Sequence, residues 1–258
     1  MYSDMKGRTA IITGGASKKG GLTGIGKATA IKLLQLGVNV CICDLMEEYV
    51  VDTLEELHEM GFHVIGMQAD VCSQEDMDAV VKLCIDEYKA VDYLVTCSGK
   101  KQKCLLKDLS LTEWKQVIDV NLNGVFIASK SVIGHMISQN FGVIINVSSV
   151  SGITGAPGDT HYSASKAGVI GFTKALAREV AENNIRVHSL TPGQIETQIL
   201  EQVILNKEAR EVSLDKIPMK RFGKPGEAAS VIAFLLSEEA SFMTGQTINV
   251  CGGYCMNT

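Results

Sequence analysis

Two residues of this sequence have the types and the spacing of a proton-transfer pair. Tyr162 and Lys166 are four residues apart in a stretch with a helical pattern, so both side chains project from the same helix face. A phenol has an ordinary pKa of about 10 and needs help to exchange a proton at neutral pH. A neighbouring ammonium favours the phenolate, and we therefore expect Lys166 to lower the pKa of Tyr162.

A serine hydroxyl and a glycine-rich loop make this pair more specific. Ser149 ends a predicted strand, where it can hydrogen-bond a substrate oxygen that gains negative charge. Gly14 and Ser17 follow the first predicted strand, and Gly24 and Ile25 open the next helix. Such a loop lets the backbone approach a pyrophosphate, which the positive end of the helix dipole also attracts. Together these residues predict proton transfer beside a bound dinucleotide.

The choice between NAD and NADP depends on one carboxylate and two lysines with opposite effects. Asp44 ends the second predicted strand, and a carboxylate there binds both hydroxyls of an adenosine ribose and repels a 2′-phosphate. Lys18 and Lys19 lie in the glycine loop and could meet such a phosphate. We expect NAD, with NADP as the alternative. Asp70 and Val71, after the third strand, are placed to touch the adenine.

Short β-branched runs alternate with longer helical patterns along the chain. The predicted strands span residues 9–13, 38–44, 63–68, 93–96, 143–147, 186–190 and 247–250. The predicted helices span residues 25–36, 47–60, 74–89, 111–139, 161–183 and 227–236. This alternation predicts an α/β fold: a Rossmann-type, doubly wound, parallel seven-stranded sheet with helices on both faces. We expect a single domain over residues 1–258, in which residues 194–219 form a substrate lid.

Composition narrows the possible partners and the compartment. The net charge of −5 argues against nucleic acid, whose partners usually carry a basic surface. No run approaches the ~20 continuous apolar residues of a membrane span. The eight cysteines show no paired spacing typical of a zinc site, so we expect reduced core thiols, no metal, and a cytoplasmic protein.

The same motifs resemble the short-chain dehydrogenase/reductase family of the Y-x3-K type over almost the whole chain. The matching stretches are Asp119-Val120-Asn121, Asn146-Val147-Ser148-Ser149, Tyr162 to Lys166, and Pro192-Gly193 with Thr197. The sequence from Tyr162 to Glu179 is most similar to the 3-oxoacyl-carrier-protein reductase branch. The resemblance also implies a homotetramer in which helices 111–139 and 161–183 pack between subunits.

The resemblance implies roles for individual residues at the catalytic end. The catalytic set would be Asn121, Ser149, Tyr162 and Lys166, with Tyr162 as the acid or base. Asn121 would hold a water that links Lys166 to solvent as a proton relay. Tyr162 and Lys166 would also contact the cofactor, Lys166 through the nicotinamide ribose.

Further residues would hold the two halves of the cofactor. Pro192 and Gly193 precede Ile195 and Thr197, and the resemblance implies that the last two contact the nicotinamide carboxamide. Gly99, after the fourth strand, allows close approach on the adenosine side.

Three stretches depart from the family pattern. Residues 18–23 lengthen the glycine loop, which then resembles that of enoyl-carrier-protein reductases. Those enzymes space their tyrosine and lysine further apart, so the catalytic half here favours carbonyl reduction. Thr96, Cys97 and Ser98 replace the first three residues of the usual N-N-A-G, which leaves the contacts of the fourth strand uncertain. Cys251 replaces the aspartate of the common D-G-G, a change without a functional explanation.

Three functions remain open on the sequence. The first is an NAD(H)-dependent oxidoreductase that interconverts a secondary alcohol and a ketone, with Tyr162 moving the proton. The alternatives are an NADPH-dependent 3-oxoacyl thioester reductase and a non-catalytic dinucleotide-binding sensor. Lys100, Lys101 and Lys103 lie where a carboxylate, a phosphate or a phosphopantetheine group could bind, although a solvated loop explains them better.

Overall fold

The computed structural model describes residues 2–256 and contains a seven-stranded parallel sheet. Met1, Asn257 and Thr258, at the ends of the expected domain, lie outside the described residues. The strands are β1 (Thr9–Thr13), β2 (Asn39–Asp44), β3 (Val64–Gln68), β4 (Tyr93–Thr96), β5 (Gly142–Val147), β6 (Ile185–Pro192) and β7 (Thr247–Val250). All seven predicted strands are therefore confirmed, with small shifts at their ends.

The strand order β3-β2-β1-β4-β5-β6-β7 makes the sheet doubly wound. The chain runs outward from β1 to β3, returns to the centre, and runs outward again from β4 to β7. The direction in which successive strands are added reverses between β1 and β4. These two strands are parallel and pair from Ala10 with Tyr93 to Thr13 with Thr96. In open α/β sheets, ligands bind outside the carboxyl ends of the strands at this reversal.

Ten α-helices connect and flank the strands in the described part of the chain. They are α1 (Ile25–Gln35), α2 (Glu47–Glu59), α3 (Gln74–Tyr88), α4 (Leu111–Ile118), α5 (Gly124–Gln139), α6 (Ser151–Thr154), α7 (Thr160–Val180), α8 (Glu201–Leu205), α9 (Lys207–Asp215) and α10 (Pro225–Leu236). The Ser110 hydroxyl and the Glu113 carboxylate form a reciprocal capping box that starts α4. The continuous helix predicted over residues 111–139 is interrupted by a π-helical turn, Asp119–Asn123, that separates α4 from α5.

The core lies on both faces of the sheet because successive residues of a strand point to opposite sides. In β1, Ile12 packs in the layer that holds α1 and α10, whereas Ile11 packs in the layer that holds α3 and α5. The three central strands β1, β4 and β5 are buried along their whole length, as the β-branched runs predict for a sheet covered on both faces.

One helical stretch, Leu111–Gln139, is long and apolar enough to cross a membrane by length and composition alone. The stretch packs against the sheet and against α3 and α7, and 39% of its most apolar window is buried. A core helix of a globular domain has the same properties.

Candidate active site

A cavity of about 750 Å³ opens at the carboxyl ends of the strands, where the strand order reverses between β1 and β4. Its walls include residues from the glycine loop, from the ends of the central strands and from α7. The sequence therefore predicted the two ends of one cavity. We refer to the part beside the glycine loop and β2 as the nucleotide end, and to the part beside Ser149 and α7 as the catalytic end.

The nucleotide end is shaped by close backbone packing. Gly14 has a φ of +61°, and a Cβ atom there would lie 2.6 Å from the backbone nitrogen of Ser98. Helix α1 begins after Gly24, which has no side chain to cap the free N–H groups of the first turn. The Ser17 hydroxyl is buried and has no hydrogen-bond partner within the described part of the chain. Free N–H groups and an unpaired hydroxyl fit a pyrophosphate.

Among the inserted residues 18–23, Lys19 contacts α2 and not the cavity. The backbone nitrogen of Lys19 donates to Asp52 at 3.2 Å, and its ammonium lies 3.9 Å from Glu55. Lys18 is exposed, and neither lysine lines the cavity, whereas Leu22 of the same loop does. The lysines that could have favoured a 2′-phosphate are thus directed elsewhere.

Asp44, in contrast, lines the cavity at the end of β2. Its carboxylate accepts a hydrogen bond from the backbone nitrogen of Ala16 at 3.4 Å. Burial raises the pKa of Asp44, and backbone hydrogen bonds oppose that shift. Asp70 and Val71 line the same end, and Ile25 faces it from the first turn of α1.

The catalytic end brings together three of the predicted side chains. Tyr162 lies in the first turn of α7, is only 8% exposed, and lies close enough to the Ser149 hydroxyl for that hydroxyl to influence its pKa. The Ser149 oxygen also accepts a hydrogen bond from the backbone nitrogen of Ser151 at 3.1 Å. The Lys166 ammonium lies 5.9 Å from the centre of the Tyr162 ring and donates to the Val147 carbonyl at 2.9 Å.

The expected direction of the Tyr162 pKa shift was wrong. Burial raises this pKa above its usual value, the neighbouring Ser149 hydroxyl opposes the rise, and the negative charge of Asp159 adds to it. Lys166 does not reverse the shift, because its ammonium is turned to the Val147 carbonyl and its own pKa is lowered to about 8, chiefly by burial. Burial therefore favours the neutral phenol of Tyr162 over the phenolate.

Asn121 occupies the π-helical turn, a feature that often marks functional sites. Its side-chain oxygen accepts a hydrogen bond from the backbone nitrogen of Lys100 at 2.7 Å, and its side-chain nitrogen donates to the Lys100 backbone carbonyl at 2.9 Å. The same nitrogen donates to the Ser165 hydroxyl, which in turn donates to the Tyr162 carbonyl. The amide thus anchors the loop after β4 to α7, and the water relay stays a prediction.

The remaining predicted residues also line the cavity. Gly193, Ile195 and Thr197 form its wall after β6, together with Pro192 at the end of that strand. Gly99 was expected on the adenosine side, but a Cβ atom there would lie 3.5 Å from Asn121 and 3.7 Å from the Lys166 ammonium, at the catalytic end. The segment 194–219 contains α8 and α9, and its first residues line the cavity, whereas closure as a lid stays a prediction.

Sequence reasoning missed Asp159, which precedes α7 and lines the catalytic end. The only sequence signal was a carboxylate three residues before the tyrosine, a pattern with no specific meaning by itself. Among residues 2–256, no group of three or more His, Cys, Asp or Glu side chains could hold a metal ion. All eight cysteines are free thiols.

Fold and site together define a Rossmann-type oxidoreductase with its cavity at the carboxyl ends of the central strands. Similarity to known proteins identifies the family of this chain. A family model described as enoyl-(acyl carrier protein) reductase matches residues 20–255. The chain belongs to the short-chain dehydrogenase/reductase family, whose members bind a nicotinamide dinucleotide.

Curated relatives and a solved structure are similar over nearly the whole chain. The chain is 43% identical to the 3-oxoacyl-(acyl-carrier-protein) reductase FabG of Thermotoga maritima, with 96% of this chain and 98% of that protein covered. It is 36% identical to the (2S)-((R)-hydroxy(phenyl)methyl)succinyl-CoA dehydrogenase subunit BbsD of Thauera aromatica, over 96% and 97% of the two chains. The crystal structure of gox2181 matches with a TM-score of 0.91 and 34% identity, over 98% and 99% of the chains.

Proposed function

We propose that this protein is an NAD(H)-dependent reductase of 3-oxoacyl thioesters. The observation that carries the proposal is the buried Tyr162 phenol, which lies beside the Ser149 hydroxyl in the wall of the cavity at the carboxyl ends of the strands. A proton donor paired with an oxygen-binding hydroxyl suits the reduction of a carbonyl to a secondary alcohol. The named relatives support the thioester, since one is a 3-oxoacyl-carrier-protein reductase and another acts on a CoA thioester that bears a secondary alcohol.

The chain's own groups would act in turn on the substrate oxygen. Ser149, whose oxygen already accepts from Ser151, can turn its hydrogen from the Tyr162 oxygen to the ketone oxygen. When bound, the nicotinamide supplies the hydride that adds to the carbonyl carbon. Tyr162 donates its phenolic proton to the same oxygen, so that a ketone, a hydride and a proton give the alcohol. The Lys166 ammonium supports the phenolate that remains.

Carbonyl reduction is favoured over enoyl reduction, although the matching family model carries the enoyl name. Enoyl reduction adds hydride and proton to two carbons, whereas carbonyl reduction adds the proton to oxygen. Ser149 and Tyr162 line the same part of the cavity, and the Ser149 hydroxyl influences the pKa of Tyr162, so both hydroxyls can bind one substrate oxygen.

Asp44 supports NAD(H) over NADP(H). Its carboxylate lines the nucleotide end, whereas Lys18 is exposed and Lys19 faces the carboxylates of α2. A 2′-phosphate beside Asp44 would meet a like charge without a compensating cation. The same reasoning opposes the NADPH-dependent form of this activity.

We further propose a cytoplasmic homotetramer that packs through α4, α5 and α7. Phe126 on α5 is 47% exposed and contacts Phe172 on α7 edge to face, so the two helices present an apolar surface together. Burial of that surface between subunits would also explain the apolar stretch Leu111–Gln139.

The decisive assay follows absorbance of the reduced nicotinamide. NADH and NADPH are compared in parallel on acetoacetyl-CoA, and NAD+ and NADP+ in parallel on hydroxysteroids and sugar alcohols. We expect turnover of acetoacetyl-CoA with NADH. Turnover confined to steroids or polyols would contradict the thioester assignment, and turnover with NADPH alone would contradict the role of Asp44. Binding of NADH without turnover of any substrate would instead indicate a sensor.

A further inference from the structure

The loop after β4, residues 99–104, is held at both of its ends. Asn121 binds the backbone nitrogen and carbonyl of Lys100 at 2.7 and 2.9 Å. Four residues further on, the backbone nitrogen of Cys104 donates to the Gly158 carbonyl at 2.8 Å. This second contact joins the loop to the segment just before α7. The side chains between the two anchors therefore have defined directions.

The side chains of Lys100, Lys101 and Gln102 point in different directions. The Lys100 ammonium donates to Gln116 of α4 at 2.7 Å, and the Gln102 amide donates to Glu113 at the start of α4, also at 2.7 Å. Lys101, between them, lines the cavity, and its ammonium lies 5.2 Å from the centre of the Tyr162 ring. A cation of the loop thus stands beside the proton donor.

Asp159 fixes this cation. Its carboxylate lies 3.0 Å from the Lys101 ammonium, and its side chain is 5% exposed against 35% for Lys101. The second carboxylate oxygen, Oδ1, is buried and unpartnered among residues 2–256. Lys101 has three donor hydrogens, of which Asp159 takes one, so the ammonium can bind a further acceptor in the cavity.

We propose that Lys101 determines substrate specificity by donating a hydrogen bond to the thioester carbonyl oxygen of the acyl substrate. This inference rests on the proposed function. In a 3-oxoacyl thioester, a single methylene separates the thioester carbonyl from the reacting ketone. With the ketone oxygen held by Ser149 and Tyr162, the thioester carbonyl falls within the neighbourhood of the Tyr162 ring that Lys101 reaches.

The charges of the pair favour a neutral acceptor over a carboxylate. Asp159 neutralises Lys101, and its free Oδ1 would repel a second anion. A carbonyl oxygen accepts a hydrogen bond from the ammonium without that repulsion. A site that is built to hydrogen-bond a substrate group discriminates strongly against analogues without the group.

The test compares two CoA probes that differ only at the thioester carbonyl. Acetoacetyl-CoA carries the thioester carbonyl, and S-(3-oxobutyl)-CoA is the thioether in which a methylene replaces it. For Lys101→Met, which keeps the length of the side chain, we expect kcat/KM to fall about 10- to 30-fold on the thioester and less than about 3-fold on the thioether. Lys101→Arg, which restores a donor, should recover part of the loss on the thioester.

Lys107→Met is the matched control, because it removes one exposed cation shortly after the same loop at a residue outside the cavity wall. It should leave both probes unchanged. Equal losses on both probes in Lys101→Met, or no loss at all, would overturn the inference while the proposed function stands. A larger loss on free acetoacetate than on the thioester would also overturn it, by showing a carboxylate site. If the wild-type protein does not reduce acetoacetyl-CoA, the proposed function itself is wrong and the inference falls with it.

Discussion

The two ends of the cavity differ in the groups that line them: backbone groups dominate one end and side chains the other. The nucleotide end consists mainly of backbone, with the turn at Gly14, the open first turn of α1 and one carboxylate, Asp44. The catalytic end consists of buried side chains, among which Tyr162 and Lys166 are each less than a tenth exposed. A backbone site accepts any dinucleotide, and a single charge then selects between them. A side-chain site depends on each of its groups.

Hydrogen bonds make the catalytic end rigid. The Asn146 amide of β5 joins Thr96 of β4 at 3.0 Å to Thr173 of α7 at 3.0 Å. The Ser148 hydroxyl donates to the Lys166 carbonyl at 2.7 Å and fixes α7 against the end of β5. The inserted glycine loop has only exposed contacts with α2. We therefore expect substitutions at the catalytic end to act on turnover, and substitutions at the nucleotide end to act on cofactor choice.

The largest expected effect is that of Tyr162→Phe. Removal of the phenolic proton should lower kcat about 1000-fold, within the range that a positioned general acid contributes. NADH binding, followed by fluorescence titration, should change less than about 2-fold, since the ring and its packing remain. Retention of full kcat would contradict the role of Tyr162 as the acid and would remove the distinction between the two ends.

Asp44→Ser should invert cofactor preference without impairing the chemistry. Loss of the carboxylate removes contacts to the ribose hydroxyls and the repulsion of a 2′-phosphate. We expect kcat/KM for NADH to fall and that for NADPH to rise, with a change in their ratio of about 30-fold or more. Asp52→Asn, which alters a carboxylate on α2 outside the cavity wall, is the control. An unchanged ratio in Asp44→Ser would show that another feature selects the cofactor.

The pH dependence should report Lys166. Its pKa is lowered to about 8 by burial, so the ammonium is present below that pH and is lost above it. The pKa of Tyr162 is raised, so the phenol keeps its proton through the same range. We expect kcat/KM for reduction to fall above pH 8 by up to about tenfold per pH unit. In Lys166→Arg, the charge persists and the basic limb should move upward; a wild-type profile that stays flat well above pH 8 would exclude this assignment.

The sequence predicted features that depend on local spacing, and it missed those that depend on burial or long-range contact. Buried β-branched runs located the strands, and the four-residue spacing of Tyr162 and Lys166 located the site. The π-helical turn at Asn121 was not predicted, because a continuous apolar pattern looks the same with one extra residue in a turn. The pKa of Tyr162 and the separate directions of Lys100 and Lys101 depend on neighbours that are distant in the sequence.

The smallest expected effect tests the inserted loop of the nucleotide end. The double variant Lys18→Ala with Lys19→Ala removes both cations that could attract a 2′-phosphate. Because Lys18 is exposed, Lys19 faces Glu55, and neither lines the cavity, the ratio of kcat/KM for NADH and NADPH should change less than about 3-fold. The comparison with Asp44→Ser is direct, since both measurements use the same ratio. A loss of NADPH activity of tenfold or more in the double variant would show that the loop closes over the cofactor, and that the nucleotide end selects its ligand by a mobile cation as well as by the fixed carboxylate.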